Sequence, residues 1–203
     1  MVSVHSDQRQ AAALAPESVK ILVAGGFGVG KTTMVASVSE IPPLSTEELL
    51  TEASSGVDDL AGIEGKTTTT VALDFGRITI SPKLVLYLFG TPGQDRFWFM
   101  WDELARGAIG AIVLIDTRRL DTSFAAIDFF ERREIPFVVG INHFDGAKHR
   151  YEPEEIRSAL AISPGIPIVP CDARQRDASK LILIRLIEHA MSRLPVEGEK
   201  ASA

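Results

Sequence analysis

The stretch that most constrains this chain is Gly25-Gly26-Phe27-Gly28-Val29-Gly30-Lys31-Thr32. It satisfies G-x-x-x-x-G-K-[ST] at each fixed position. Its flanks suit it. Upstream, Val19–Ala24 is a short apolar run of the kind a buried parallel strand needs. Downstream, Thr33–Val38 can open a helix. Strand, glycine loop and helix N-terminus make a nest of backbone N–H groups backed by the positive end of a helix dipole. Such a nest holds phosphates. Lys31 reaches the terminal phosphates, and the Thr32 hydroxyl is placed to ligate Mg²⁺. Gly28 and Gly30 permit φ angles that side chains resist. Gly25, Phe27, Val29 and Thr33 complete the expected phosphate-contacting set.

Composition narrows the class. A chain of 203 residues, 45% hydrophobic and 24% charged, fits one soluble domain with a full core. A net charge of −6 argues against binding a nucleic-acid backbone or being drawn unaided to anionic lipid. The single cysteine, Cys171, excludes an internal disulfide and a multi-cysteine zinc site. No apolar run is long enough to span a bilayer, residues 1–17 do not read as a secretory signal, and neither end carries a lipidation motif. The expected location is cytoplasmic with no direct membrane anchor, any membrane visit depending on a partner.

In chain order, residues 1–17 read as a flexible tail, 18–195 as the domain and 196–203 as a second tail. Strands are expected at 18–24, 71–80, 84–89, 108–116, 136–141 and 166–170. Helices are expected from Lys31 to about Ser39, up to Arg106, at 123–133, 153–161 and 178–194. Residues 44–66 are polar and acidic, with some helix possible around 46–53, and read as a mobile functional loop. Ser81-Pro82-Lys83 joins two strands as a hairpin. The alternation predicts a three-layer α/β fold, with a mostly parallel six-stranded sheet and one antiparallel edge strand.

Four further segments follow in an informative order. Asn142-His143-Phe144-Asp145 comes directly after a buried strand, where open α/β sheets bind ligands. A carboxylate there can accept two hydrogen bonds from guanine N1 and its 2-amino group. Adenine has no such donor pair, so Asp145 would select guanine. Cys171-Asp172-Ala173-Arg174 follows the last strand, where a small residue lets a backbone N–H approach the base oxygen. A threonine of the run Thr67–Thr70 could complete a Mg²⁺ shell when a third phosphate is present. Gly93 could offer its N–H to the γ-phosphate, and Gln94 could orient the attacking water.

Together these residues resemble the small Ras-like GTPases, over roughly residues 18–194. Within them the chain is most similar to the bacterial branch that includes the MglA polarity GTPases, and above all to the GTPases of actinobacterial conservon operons. The resemblance rests on Gly25–Thr33, Thr69–Gly76, Leu86–Phe97, Asn142–Asp145 and Cys171–Arg174. It implies the three-layer P-loop NTPase fold, GTP and GDP as ligands, Mg²⁺ as cofactor, and hydrolysis of GTP to GDP. It implies Thr70 as the switch threonine beside Thr32 on the metal, and Gln94 as the water-orienting glutamine. It further implies conservon-type signalling partners, including a roadblock-fold regulator.

The departures from that pattern are specific. The aspartate usual three residues before Gly93 is Gly90. Asp74 could replace it only if its side chain faces the site, which is not the expectation. Phe27 stands at a loop position where a bulky side chain could crowd Gln94. His143 replaces the lysine usual beside the base. Residues 41–70 hold no arginine; Arg96, Arg118 and Arg119 remain candidates for one in cis, with surface pairing the expected role. Phe97-Trp98-Phe99-Met100-Trp101 cannot all point inward on a helix, so one or two should form a nucleotide-gated partner surface. Two other readings stay open: a nucleotide-stabilised scaffold with little hydrolysis, and an ATP-binding P-loop protein. Because positioning carries most of phosphoryl-transfer catalysis, Phe27 and Gly90 predict slow intrinsic turnover. A single-turnover assay on the isolated protein checks it; rapid GTP hydrolysis would refute it.

Overall fold

Along β1 (Glu17–Ala24) the side chains of Ile21 and Val23 enter one hydrophobic cluster and those of Leu22 and Ala24 the other. A strand buried on both sides in this way must be central, with helices covering each face. The computed structural model, which describes residues 16–42, 44–50, 69–93, 99–147 and 149–194, has that arrangement. Its helices are α1 (Lys31–Val38), α2 (Phe99–Ala105), α3 (Phe124–Arg132), α4 (Pro153–Ala159) and α5 (Arg176–Ser192). Its other strands are β2 (Leu44–Leu50), β3 (Thr69–Ser81), β4 (Leu84–Gly90), β5 (Ala108–Ile115), β6 (Phe137–Asn142) and β7 (Ile168–Cys171).

The strand order is β2-β3-β4-β1-β5-β6-β7. The strands β4, β1, β5, β6 and β7 run parallel, and β3 pairs antiparallel with β4. The six expected strands are therefore present, one of them antiparallel. A seventh, β2, pairs antiparallel with β3 and takes the edge, from Leu44↔Phe75 to Leu50↔Thr69. Of the helix considered for 46–53, residues 46–50 are strand instead, and 51–53 lie outside the described residues. Residues 51–68, including Thr67 and Thr68, lie outside the described ones. So do residues 1–15 and 195–203.

On one face α1 and α5 bury Met34, Val35, Val38, Ile182, Leu183 and Leu186. On the other, α2, α3 and α4 bury Trp101, Ile127, Phe129, Phe130 and Ile156. The start of α4 matches its sequence signal: Glu152 and Glu155 form a reciprocal capping box and Pro153 stands at the first turn. The apolar residues of α5 divide between core and solvent. Leu183 and Leu186 are buried, whereas Leu181, Ile184 and Met191 are exposed. No helix among the described residues is long and apolar enough to cross a membrane.

The aromatic segment is also split. Phe97 and Trp98 lie outside the described residues. Phe99 is exposed and Met100 half-buried. Trp101, expected as a candidate partner residue, is instead 2% exposed. Its ring meets Phe129 edge-on at 5.1 Å, and its Nε1–H donates to the Pro92 carbonyl at 3.1 Å. A side chain so placed holds α2 to the core and the 90–93 loop to α2. Trp101→Ala should lower unfolding free energy by about 3–5 kcal/mol, read from the urea midpoint.

Candidate functional site

The crevice lies at the C-terminal ends of β1, β5, β6 and β7. The sheet's connections diverge there, because β1 has β4 on one side and β5 on the other. The glycine loop follows β1. Gly25, Gly28 and Gly30 have φ of 132°, 73° and 103°. A side chain at Gly30 would also stand 2.5 Å from Asn142 Nδ2, so this position excludes any other residue twice over. Val29 is buried beneath the loop, and Phe27 is 67% exposed.

Lys31 is 8% exposed, and its Nζ donates to the carbonyls of Gly25 and Gly26 at 2.9 and 2.8 Å. Burial pushes its ammonium down to about 8, against a smaller opposite pull from Asp74. Anionic groups in this cradle would favour the cation again. A Cβ at Gly93 would lie 2.5 Å from that Nζ and 2.9 Å from Gly26, so the chain after β4 passes directly over the phosphate loop. Gln94 lies outside the described residues. Thr33 is exposed in the first turn of α1.

Asp74 faces the site, contrary to expectation. Its Oδ2 accepts from Thr32 Oγ1 at 2.6 Å. The cause is register: Asp74 on β3 pairs with Gly90 on β4. A Cβ at Gly90 would come within 2.9 Å of both Asp74 Cβ and Oδ2. The carboxylate missing from position 90 thus enters from the neighbouring strand, and glycine is what leaves room for it. Thr70 lies on the same strand four residues earlier.

At the other end, Asn142 closes β6 and is 6% exposed. Its Nδ2 donates to the Val29 carbonyl at 2.9 Å, and its Oδ1 accepts from the Ala173 N–H at 2.9 Å. One side chain therefore ties the glycine loop to the loop after β7. The Ala173 amide, expected to approach the base oxygen, is engaged by Asn142 here. His143 N–H donates to the Cys171 carbonyl at 2.8 Å. Cys171 is buried and its thiol is pushed up to about 12, chiefly by desolvation, so it stays protonated and inert. Asp145 is exposed and bound by Arg174, whose guanidinium also holds Asp172. Hydrogen bonding from that guanidinium is the main reason Asp172 sits at about 2, and it also holds Asp145 below its usual range.

Three residues carry more than the sequence reading gave them. Asp116, 1% exposed at the end of β5, accepts two hydrogen bonds from the Arg118 guanidinium at 2.8 and 2.7 Å. Arg118 in turn lies 4.0 Å over the Phe144 ring, supporting the Asn142–Asp145 loop. Arg119 donates to the Phe27 carbonyl at 3.0 Å, which places it against the phosphate loop. The signal for all three was an acidic residue ending an apolar strand, followed by paired arginines.

This fold and site define a three-layer α/β domain of the P-loop type, with a glycine loop and a buried lysine at the C-terminal ends of its parallel strands. Residues 23–193 match the family described as conserved hypothetical ATP binding protein, and the chain belongs to that family. It is 32% identical over 131 residues to the uncharacterized protein MJ1339 of Methanocaldococcus jannaschii, covering 64% of this chain and 72% of that one. It is 29% identical over 171 residues to the Ras-related protein RABC2a of Arabidopsis thaliana, covering 78% and 71%. Among solved structures, the G domain of the T. maritima FeoB iron transporter superposes with a TM-score of 0.59 at 20% identity, covering 86% of this chain and 99% of that one. The longer FeoB cytosolic domain superposes with a TM-score of 0.60 at 19% identity, and this chain spans only 64% of it.

The pairing of Asp74 with Gly90 generates a test. Gly90→Asp, which writes the usual aspartate back, should cost about 1–3 kcal/mol through overpacking, with like-charge repulsion added. Adding Asp74→Ala should recover part of that loss. Urea midpoints of the two variants check both statements.

Proposed function

We propose that this chain binds GTP and hydrolyses it slowly to GDP and phosphate, acting as a molecular switch in a bacterial signalling system. The observation that carries the reading is the Asn142 bridge. It couples a phosphate cradle ending at Lys31 to the loop bearing Asp145, so that one nucleotide could be gripped at both ends. The Ras-related name of the RABC2a relative points the same way.

In this reading Gly25–Thr33 hold the phosphates, with Lys31 on the terminal ones. Asn142, His143, Asp145 and the Cys171–Ala173 loop hold the base, with Asp145 selecting guanine. Gly93 steadies the γ-phosphate, and Gln94 orients a water whose oxygen attacks the γ-phosphorus as the bond to the β-phosphate oxygen breaks. The oxygen donors at Thr32 and Asp74 suit Mg²⁺, which keeps most of its shell for phosphate and water. Thr32, with Thr70, would ligate it, and Asp74 would hold one of its waters. The ion would supply charge neutralisation on the phosphates. Among the described residues there is no group of three or more His, Cys, Asp or Glu able to hold a metal ion. GTP would order the segments around Thr70 and Gln94, and partners would read the difference. The resemblance suggests a roadblock-fold regulator and conservon-type proteins as those partners, with exposed Phe99 at the edge of the docking surface. A cytoplasmic location completes the proposal.

A second reading, ATP in place of GTP, is favoured by the description of the family alone. Calorimetry separates them. GDP should bind at least about tenfold more tightly than ADP, a difference of about 1.4 kcal/mol, and Asp145→Ala should erase the preference. Equal affinities in the unaltered protein would overturn guanine selection.

A further inference from the structure

Arg174 uses both edges of its guanidinium. On one side Nε and Nη2 donate to Asp172 Oδ1 and Oδ2 at 2.9 and 2.8 Å, and the Arg174 backbone N–H adds a bond to Oδ1 at 3.0 Å. On the other side Nη1 and Nη2 donate to Asp145 Oδ2 and Oδ1 at 2.5 and 3.3 Å. The two attachments differ in strength. The Asp172 side chain is 13% exposed and is anchored further by Gln175 Nε2 at 3.3 Å. The Asp145 side chain is 78% exposed. Water screens the second contact far more than the first, so it is the one that yields.

The donor pattern at Asp145 is informative. A guanidinium edge offers two coplanar N–H groups to the two oxygens of one carboxylate. Guanine offers the same pattern through N1–H and its 2-amino group. Adenine, with an acceptor at N1, does not. An internal side chain therefore occupies the edge of Asp145 by the same chemistry that a guanine base would use.

We propose that Arg174 is a displaceable competitor for Asp145, and so a specificity-tuning residue of the base site. Guanine takes over the carboxylate edge that the guanidinium holds, and Asp172 retains the arginine once it is displaced. This rests on the reading of Asp145 as the base-selecting carboxylate. The consequence runs opposite to that of a supporting residue: removing Arg174 strengthens guanine binding. It leaves adenine binding alone, because adenine gains nothing from a freed carboxylate.

The test is calorimetric titration of the full chain with GDP and with ADP, unaltered and as Arg174→Ala. At low salt the variant should bind GDP about two- to fivefold more tightly, the range expected of an exposed ion pair, with ADP affinity unchanged. The gap should narrow as salt rises from about 0.05 to about 0.5 M, which a merely structural role would not produce. Arg174→Gln keeps much of the side-chain volume and carries the same inequality should the alanine variant fail to fold. Equal or weaker GDP binding by the variant, beside a clear GDP preference in the unaltered protein, overturns the competitor and leaves guanine selection standing. No GDP preference in the unaltered protein overturns both.

Discussion

The site depends on the side-chain amide of Asn142. It is buried at the end of β6, and both of its functional ends are used across chain segments more than thirty residues away. A buried amide that lost either partner would leave a desolvated carbonyl or N–H behind, at about 1–3 kcal/mol each. That penalty makes the geometry nearly all-or-none. The loops after β1, β6 and β7 take up one relative position, and the β6–β7 register, with Asn142 beside Cys171, brings the amide to the required height. Gly30 is the complementary half of the arrangement, since only a residue without Cβ lets the loop come this close.

What was legible in the sequence follows from what is local. The glycine loop, its lysine and threonine, and the Asn142–Asp145 segment are short patterns between apolar runs, and the structure puts them at one end of one sheet. The three layers follow equally from alternating strands and helices. Asp74 was not legible, because alternation along β3 says which residues share a face but not which face meets the phosphate loop. Register decides that, and register is a tertiary property. The hint available was paired: the one acidic residue of β3, and a glycine where a carboxylate was expected.

Trp101 and α5 show a second limit. Five consecutive bulky residues establish that some must face outward, but tertiary packing decides which: Trp101 goes in because α3 presents Phe129 and Phe130 to it. On α5 the apolar residues outnumber those one face can bury, so Leu181 and Ile184 remain outside while Ser179 goes in, its hydroxyl near the Ala173 carbonyl and Ser37. Packing selects by position on the helix, and hydrophobicity alone does not fix the face.

The polar groups of the crevice have protein partners, and this sets how a nucleotide could bind. Lys31 rests on two loop carbonyls, Thr32 on Asp74, and Asp145 on Arg174. A ligand that takes these contacts over trades one hydrogen bond for another, so affinity is a difference between two satisfied arrangements. The two ends differ in what the trade yields. At Lys31 a buried ammonium, depressed toward 8 by desolvation, would exchange neutral carbonyls for phosphate charge, and the gain in a water-poor cradle is large. At Asp145 an exposed ion pair would give way to a neutral base edge, and the gain is small. On the proposed reading, the phosphate end would dominate affinity and the base end would contribute choice. That division would make the Arg174–Asp145 contact a means of setting guanine preference with little effect on how tightly phosphate is held.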